Sequence, residues 1–305
     1  MIVTLTPNPA LDITYSVPGF RPHASHRVTE VHAQAGGKGV NVSRVLHALG
    51  RPTTAVLPLG GRTGEVVRDD LEGRHLAHVA VAVGGETRRT VAVVDGTDTT
   101  MLNEPGPEVT ADEWAAVRAA VRDLLPRARV LTISGSLPSG LRKDACAELI
   151  RLARARGVPV ILDADGPVLT AGLAARPTVV KPNADELRSA TGFEDPARAA
   201  SALIAAGAEA VVASLGPDGL LAVTPDGVWR ARPPGRIAGN TAGAGDSVVA
   251  ALAAGLADAT RWPELLADAV ALSAATVRAP RAGEFDPETY RELARRVEVT
   301  RDGRP

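Results

Sequence analysis

The chain has little of what several protein classes require. Its only cysteine is Cys146, so no disulfide can form within the chain, which favours a reducing compartment such as the cytoplasm. Aromatic residues make up 3% of the sequence, so Ala, Val and Leu must fill the core. The formal net charge of −1 gives no overall field that would attract nucleic acid or an anionic membrane. Any anionic ligand must therefore be held by local cations.

Several motifs are also missing, and each absence argues against a class of chemistry. No apolar run approaches the length of a membrane span, and the start carries no basic leader. His and Cys do not cluster at metal-ligand spacing, which argues against structural zinc. No G-x-G-x-x-G follows the first strand and no G-x-S-x-G occurs, so neither a dinucleotide-dependent oxidoreductase nor a triad hydrolase is supported.

What is present is an alternation of short β-branched runs with longer Ala-rich segments of helical period. This pattern predicts an α/β fold with a mostly parallel central sheet covered by helices on both faces, and we treat residues 1–305 as a single domain. The predicted strands are 2–5, 54–57, 130–134, 158–163, 178–181 and 210–214, with a hairpin over 220–232 that turns at Asp226-Gly227. The predicted helices cover 112–125, 144–156, 196–206, 247–256 and 263–277, together with one around Val42, Val45, Leu46 and Leu49.

Two segments, 12–35 and 85–106, break this rhythm. Each alternates apolar with polar residues and neither contains a helical pattern. We interpret them as strands of a small β-sheet that forms a lid over a site; the alternative is that they are edge strands of the main sheet. The polar residues 300–305 are expected to be frayed.

The most informative motif is Asn240-Thr241-Ala242-Gly243-Ala244-Gly245-Asp246-Ser247. Glycines let successive backbone N–H groups converge on one anion, and the N-terminus of the following helix adds its positive dipole end. A carboxylate beside a bound phosphate repels it, so Asp246 is better explained as a general base acting on a neighbouring hydroxyl. The alternative is that Asp246 only caps the helix.

A second glycine cluster, Ala35-Gly36-Gly37-Lys38-Gly39-Val40-Asn41, also precedes a helix. It is not a Walker loop, because His32 and Gly39 occupy the positions where that motif has Gly and Ser or Thr. Bare backbone, a lysine and an asparagine suit the hydroxyls and phosphate of a small polar ligand; a glycine-rich turn with a solvated lysine is the alternative.

Three polar runs end predicted strands, at the edge of the sheet where ligands gather in α/β folds. They are Ser134-Gly135-Ser136-Leu137-Pro138, Lys181-Pro182-Asn183-Ala184-Asp185-Glu186 and Ser214-Leu215-Gly216-Pro217-Asp218-Gly219.

Taken together, these motifs resemble the ribokinase-like carbohydrate kinases of the PfkB family, and most closely its 1-phosphofructokinase and tagatose-6-phosphate kinase branch. The start Thr6-Pro7-Asn8-Pro9-Ala10-Leu11-Asp12, the pair Thr87-Arg88 and the run Asn103-Glu104-Pro105-Gly106-Pro107 add to the resemblance, which spans nearly the whole chain. It implies a ribokinase-like three-layer α/β/α core with a β lid, and ATP with Mg²⁺ as phosphoryl donor.

The resemblance also implies roles for individual residues. Asp246 would be the base, and Gly243, Ala244 and Gly245 the anion hole. The sugar phosphate would be bound by Asp12, Arg27, Gly37, Lys38, Asn41, Arg88 and Ser136. The nucleotide would lie against Lys181, Asn183, Ser214, Gly216 and Gly219, and Asn183 and Glu186 would orient magnesium through water.

The reaction implied is phosphorylation of fructose 1-phosphate at its 6-hydroxyl. Tagatose 6-phosphate or fructose 6-phosphate, phosphorylated at the 1-hydroxyl, is the close alternative, and a non-catalytic sugar-phosphate sensor is an alternative of a different class. The resemblance is also compatible with a homodimer through the lid, in which the apolar faces of 28–31 and 90–94 bury one another; a monomer with a polar lid is the alternative. Three positions depart from the usual pattern of the family: Ala242, Ala251 and Thr90. We expect Ala251 to narrow the approach to the nucleotide, and Thr90 leaves one sugar contact in doubt.

Overall fold

A computed structural model describes residues 1–96 and 99–302 of the chain. Its strands are β1 Ile2–Leu5, β2 Ala10–Ser16, β3 Glu30–Gly36, β4 Thr53–Leu59, β5 His78–Ala82, β6 Arg88–Val94, β7 Thr99–Asn103, β8 Val130–Ser134, β9 Val160–Asp163, β10 Val179–Val180, β11 Ala210–Ser214, β12 Leu220–Thr224, β13 Gly227–Arg232 and β14 Glu298–Arg301. Its α-helices are α1 Lys38–Ala48, α2 Gly61–Gly73, α3 Ala111–Leu124, α4 Ala145–Arg154, α5 Gly166–Leu173, α6 Ala184–Thr191, α7 Pro196–Ala205, α8 Ala244–Ala257, α9 Trp262–Val277 and α10 Pro287–Leu293.

The central sheet confirms the predicted fold class. Its strand order is β14-β13-β12-β11-β10-β9-β8-β1-β4-β5. Neighbouring strands from β11 through to β5 are parallel, and the edge formed by β12, β13 and β14 is antiparallel. Because the carboxyl ends of parallel strands share one edge, the loops that follow β1, β8, β9, β10 and β11 lie along the same side of the molecule.

Both faces of this sheet are buried, which explains the continuous apolar runs in its strands. On β1, Val3 and Leu5 belong to the core shared with α3, α4 and α7, whereas Ile2 points into the core formed by α1, α8 and α9. Consecutive residues of a strand point to opposite faces, so this alternation places helices on both sides of the sheet. The result is the expected three-layer α/β/α arrangement.

A second sheet lies apart from the first, with strand order β3-β2-β6-β7. It is built from the two segments predicted to form the lid, and this excludes the alternative that they are edge strands of the main sheet. Of the predicted segment 85–106, residues 97 and 98 lie outside the described residues. Leu11 and Ala35 pack at its inner end in a core shared with Val67 and Leu71 of α2, so the small sheet is attached to the large one through α2.

Some boundaries differ from the sequence-based expectation. α8 begins at Ala244 rather than 247, so Asp246 lies in the first helical turn. The hairpin pairs Thr224 with Gly227, which makes Pro225-Asp226 its turn. Residues 300 and 301 belong to β14, which pairs with β13; the expectation of fraying was therefore wrong for them, and residues 303–305 lie outside the described residues.

Candidate active site

Polar side chains follow the central strands where each one ends. Ser134 at the end of β8 is in register with Asp163 at the end of β9, and Asn183 after β10 forms a bridge with Ser214 of β11. The first turns of α1 and α8 reach the same edge, as the hydrogen bond between Asn41 and Asp246 shows. The three polar strand ends and the two glycine motifs therefore form one site.

Asp246 is held in the first turn of α8 by a contact that is not a helix cap. Gly243 is the N-cap residue, with a φ of 80° and no side-chain cap. The Asp246 carboxyl group is 6% exposed, and its Oδ2 accepts a 2.9 Å hydrogen bond from Nδ2 of Asn41. The capping explanation of Asp246 is therefore wrong, and the carboxylate is available for chemistry.

Gly243 is required by its surroundings as well as by its backbone angle. A Cβ atom at this position would lie 2.9 Å from Cα of Ala282, and a φ of 80° is strained for any other residue. The turn that exposes the first N–H groups of α8 is thus locked against the segment around Ala282. These N–H groups, at the positive end of a 14-residue helix, form a backbone site suited to an anion.

Burial sets the protonation of Asp246. Loss of hydration, together with the like charge of Asp163, raises the pKa of Asp246 to about 7, although the hydrogen bond from Asn41 and the charges of Lys38 and Lys181 act in the opposite direction. A carboxylate with a pKa near neutrality is a stronger base than an exposed aspartate, which suits it to remove a proton from an alcohol.

Two lysines lie beside this base, and both contact Asp163. The Nζ atoms of Lys38 and Lys181 are each 3.4 Å from Oδ1 of Asp163. Burial disfavours the charged form of Lys38, but the carboxylates of Asp163, Asp246 and Glu186 outweigh it and raise the pKa of the ammonium group to about 12. Lys38 is therefore a permanent cation in an ion-pair network, and the alternative of a purely solvated lysine is wrong.

The lid contributes Asp12, which lies beside the first glycine cluster. The hydroxyl group of Thr90 donates a hydrogen bond to Oδ1 of Asp12, and a Cβ atom on Gly36 would collide with the Asp12 carboxyl group. Burial raises the pKa of Asp12, although the Thr90 hydrogen bond and the charge of Arg88 oppose this. Thr90, the departure from the usual pattern, therefore orients Asp12.

Arg88 and Ser136 meet at Asn8. Nε of Arg88 donates to the Asn8 carbonyl oxygen at 3.2 Å and Nη1 to the Glu104 carbonyl oxygen at 3.1 Å. Nδ2 of Asn8 lies 3.3 Å from Oγ of Ser136. A guanidinium group has five N–H donors, so Arg88 retains donors for a phosphate. The structure thus brings together Arg88 and Ser136, two of the residues predicted to bind the phosphate of the sugar.

Arg27 is placed differently from the other predicted cations. It lies in the exposed connection between β2 and β3, and among the described residues it makes no ion pair. Gly37, at the start of α1, lies next to Lys38 as expected. The role of Arg27 on the sugar phosphate stays a prediction.

A cavity of about 600 Å³ opens on the other side of the α8 N-terminus. Ala244 and Gly245 form one end of it, and Ser214, Gly216 and Gly219 lie along the wall formed by the end of β11 and the turn after it. The apolar part of its lining comes from Leu220, Ile237, Val270, Ala274 and Val277. The apolar wall suits a nucleotide base, and the helix N-terminus suits a chain of phosphates.

Ala251 does not line this cavity, because it is buried in the core between α8 and α9. The expectation that Ala251 narrows the approach to the nucleotide was therefore wrong.

Asn183 and Glu186 form a capping box at the start of α6. The Asn183 side chain accepts from the Glu186 backbone at 2.8 Å, and the Glu186 side chain accepts from the Asn183 backbone at 2.8 Å. Among the described residues, no group of three or more His, Cys, Asp or Glu could hold a metal by itself. Mg²⁺ is usually bound through one or two carboxylates, water and substrate phosphates. Glu186 keeps a second carboxylate oxygen for a metal-bound water.

Neither Asp163 nor Asn8 was predicted to belong to the site. Asp163 is the last residue of one predicted strand and Asn8 follows another, and the site lies at such strand ends. Asp163 is 1% exposed and Asn8 is 4% exposed. A charged group buried to this degree is rare without a partner, but sequence alone does not show burial.

Comparisons with known proteins place the chain among carbohydrate kinases. Residues 7–289 match the family described as pfkB family carbohydrate kinase. The structure of phosphofructokinase-2 from Escherichia coli in complex with potassium is 31% identical over 96% of this chain and 98% of that one, with a TM-score of 0.90. A possible 1-phosphofructokinase from Thermotoga maritima is 28% identical over 98% of this chain and 99% of its own, with a TM-score of 0.88.

A more distant structure shows the fold alone. Ribokinase from Arabidopsis thaliana, complexed with ribose and ATP, is 21% identical over 96% of this chain and 98% of that one, with a TM-score of 0.75. The family match and the two phosphofructokinase structures support a phosphotransferase with an alcohol group as acceptor. The chain belongs to the pfkB family of carbohydrate kinases, and within it the chain is a sugar-phosphate kinase.

Proposed function

We propose that the chain transfers the terminal phosphoryl group of ATP to the 6-hydroxyl of fructose 1-phosphate, giving fructose 1,6-bisphosphate. The observation that carries the reaction is the buried Asp246 carboxylate, bound to Asn41 and placed one turn into α8. The similarity to a possible 1-phosphofructokinase supports the acceptor. A buried cysteine and ATP as donor support a cytoplasmic enzyme, and we propose that residues 1–305 act as one kinase domain.

In this mechanism Asp246 takes the proton from the acceptor hydroxyl as the oxygen attacks. Asn41 holds the Asp246 carboxyl group in one orientation through Nδ2. The N–H groups of Gly243, Ala244 and Gly245 donate hydrogen bonds to the oxygens of the transferring phosphoryl group and so stabilise its charge. This transfer needs charge stabilisation more than covalent help. Bound Mg²⁺ supplies charge neutralisation on the phosphate oxygens.

The two substrates approach from opposite sides of the α8 N-terminus. Asp12, Gly37 and Asn41 would bind sugar hydroxyls, while Arg88, Lys38, Ser136 and Arg27 would hold the phosphate already on the sugar. The nucleotide would occupy the cavity lined by Asn183, Ser214, Gly216 and Gly219, with Lys181 close to Gly245. Closure of the lid over the sugar would exclude water, which competes with the sugar as acceptor.

A second acceptor is favoured by a specific observation. The structure at 31% identity is a phosphofructokinase-2, and the Escherichia coli protein has also been described in complex with fructose 6-phosphate. Fructose 6-phosphate or tagatose 6-phosphate would use the same cations and present the 1-hydroxyl to Asp246. Both readings need a phosphate on the sugar, because a free hexose would leave the cations of the pocket without their anion.

The test is a coupled assay of ADP release with fructose 1-phosphate, fructose 6-phosphate, tagatose 6-phosphate, fructose and tagatose. We expect the highest kcat/KM with fructose 1-phosphate and little turnover of the two free sugars. A clear preference for fructose 6-phosphate would replace the proposed acceptor by the second one. Efficient use of free fructose would contradict the phosphate pocket, and turnover of none of the five would favour the sugar-phosphate sensor.

A further inference from the structure

Asp163 is a buried carboxylate to which the mechanism above gives no task. It ends β9 and is 1% exposed. Its Oδ1 lies 3.4 Å from the Nζ atoms of both Lys38 and Lys181, while its Oδ2 has no hydrogen-bond partner within residues 1–96 and 99–302. One carboxylate oxygen thus serves two cations, and the other oxygen is left unsatisfied.

The two lysines belong to different halves of the site. Lys38 follows Gly37 on the sugar side, and its Cβ is 3.9 Å from where a Cβ on Gly135 would lie. Lys181 starts the run that leads to the nucleotide cavity, and its Nζ is 3.4 Å from where a Cβ on Gly245 would lie. Asp163 therefore connects a cation of the sugar side with a cation that touches the anion turn.

Stability alone does not account for this arrangement. A buried carboxylate with an unsatisfied oxygen lowers stability, and a buried ion pair seldom recovers the full cost of desolvation. The Lys38 side chain is also 41% exposed, so only one of the two lysines is enclosed with Asp163. An arrangement that is unfavourable for the fold but fixes two charges at the meeting point of two ligands is expected of a functional site.

We infer that Asp163 is a positioning residue that holds the ammonium groups of Lys38 and Lys181 together, so that both positive charges act on the phosphoryl group as it passes between the two substrates. This inference rests on the proposed function, in which Asp246 is the base and the turn 243–245 receives the phosphoryl group. Asp163 itself does not touch the reacting atoms.

The same residue influences the base. The charged groups that act on Asp246 are Asp163 from β9, Lys38 from α1 and Lys181 after β10. The neighbouring Ser247 of α8 and Thr276 of α9 are uncharged, and their hydroxyl groups bond to each other. Removing the charge of Asp163 takes away a repulsion and frees two cations, so the pKa of Asp246 falls.

The decisive variant is Asp163→Asn, which keeps the shape of the side chain and removes its charge. We expect kcat to fall on the order of 100-fold, as for a misplaced reacting group, with smaller changes in the KM values of both substrates. We also expect the acid limb of the kcat/KM profile to move to lower pH by about one unit or more. A residue that only supports the fold would not shift this limb.

Thr132→Val is the matched control. Thr132 lies on the neighbouring strand β8, is fully buried, and its hydroxyl group also lacks a partner, but it carries no charge and contacts neither lysine. We expect wild-type kcat and an unmoved acid limb. Two results would overturn the inference while leaving the kinase reaction intact: an unchanged kcat in Asp163→Asn, or a loss of kcat with an unmoved acid limb of the kcat/KM profile. A wild-type protein without turnover would instead overturn the proposed function.

A second measurement covers the case in which Asp163→Asn does not fold. In a double-mutant cycle of Lys38→Met and Lys181→Met, with Asp163 intact, a shared carboxylate predicts that the two effects on kcat are coupled. Each single variant leaves Asp163 with one cation, and the second loss acts on a site that is already misaligned. Strictly additive effects would overturn the inference.

Discussion

At the scale of single residues, Asp246 makes the reaction dependent on pH. The carboxyl group must be ionised to accept a proton, and burial with the charge of Asp163 raises its pKa to about 7. We therefore expect kcat/KM to be low under acidic conditions and to rise as pH increases through about 7. Asp246→Asn should abolish turnover yet leave sugar-phosphate binding, measured by calorimetry, largely intact. An Asn variant with substantial turnover would remove the base assignment.

The same group also makes stability depend on pH, with a sign that can be derived. The folded-state pKa of Asp246 is raised above the ordinary aspartate value of 3.8, so the folded chain holds the proton more tightly and gains stability as pH falls from about 7 towards 3.8. Above this window the ionised Asp246 costs stability. Asp246→Asn should thus unfold at a higher temperature than the wild type at about pH 8, with a smaller difference at about pH 5. Thermal unfolding at both pH values would measure this, and a destabilised Asn variant at high pH would contradict it.

Arg88 differs from its neighbour Arg89 in a way that allows a clean comparison. Arg88 is half-buried and turned towards Asn8, while Arg89 is exposed on the other face of β6. We expect Arg88→Ala to raise the KM for the phosphorylated sugar by about 10- to 100-fold, the worth of one or two charge-assisted hydrogen bonds. The KM for ATP should change little. Arg89→Ala is the control and should leave both KM values near wild type; equal effects of Arg88→Ala on the two substrates would rule out a role on the sugar side.

At the scale of elements, the chain contains the same motif in two settings. Thr110 with Glu113 at the start of α3, and Asn183 with Glu186 at the start of α6, each form a complete capping box. The second lies beside the cavity that Asn183 lines, whereas Glu113 of the first bonds to Gly84 in the connection after β5. The capping box alone therefore does not indicate a metal role for Glu186; its location does.

This pair of motifs separates capping from metal binding. A glutamine can accept the same backbone hydrogen bond, so Glu186→Gln should retain the melting temperature but raise the Mg²⁺ concentration required for half-maximal activity. Glu113→Gln should leave the Mg²⁺ requirement unchanged, although it should lower the melting temperature, because Oε1 of Glu113 also accepts a hydrogen bond from the backbone N–H of Gly84. The measurement is an Mg²⁺ titration of activity beside thermal unfolding. A Glu186→Gln variant with the wild-type Mg²⁺ requirement would limit this residue to capping α6.

Elements also show where prediction from the sequence succeeds. β1, β8 and β11 agree with the predicted bounds, because a buried parallel strand is an apolar run with a polar residue at its end. α2, α5, α6 and α10 were missed. α2 is an example: it buries only Thr63, Gly64, Val67 and Leu71, a narrow apolar stripe in a polar sequence. Besides the adjacent strand β4, it packs against β2 and β3 of the lid. These two strands are distant in sequence, so the reason for the helix is tertiary.

The same limit applies within the site. Residues in glycine motifs were found because those motifs have fixed spacing, whereas Asp163 acts through Lys38 and Lys181, at sequence positions far from its own. Asn41 was predicted as a ligand of sugar hydroxyls, and the structure adds a hydrogen bond to Asp246. A contact between residues 41 and 246 depends on the packing of α1 against α8, and neither helix alone indicates it.

At the scale of the whole molecule, the lid carries an apolar surface. Strand register puts Tyr15, Val31 and Val93 on one face, together with Val91 and Leu102. Asp12 is on the opposite face of the lid, because it lies an odd number of residues from Tyr15 on the same strand and side chains alternate between the two faces. Val31 and Leu102 are 62% and 59% exposed. Contiguous exposed apolar residues on a small sheet are expected to be covered by another surface.

We propose that a second copy of the chain covers this face, which would give a homodimer through the lids. Among the described residues no helix is long and apolar enough to span a membrane.

A twofold contact uses the same patch on both copies, so one substitution alters the interface twice. Combining Val31→Lys and Leu102→Lys should therefore shift the mass measured by light scattering from dimer to monomer. Since the lid also carries Asp12 and Arg88, the monomeric variant should show a higher KM for the sugar phosphate. Val66→Lys is the control, because Val66 is 47% exposed on α2, outside the lid; a wild-type chain that is monomeric at micromolar concentration would refute the proposed dimer.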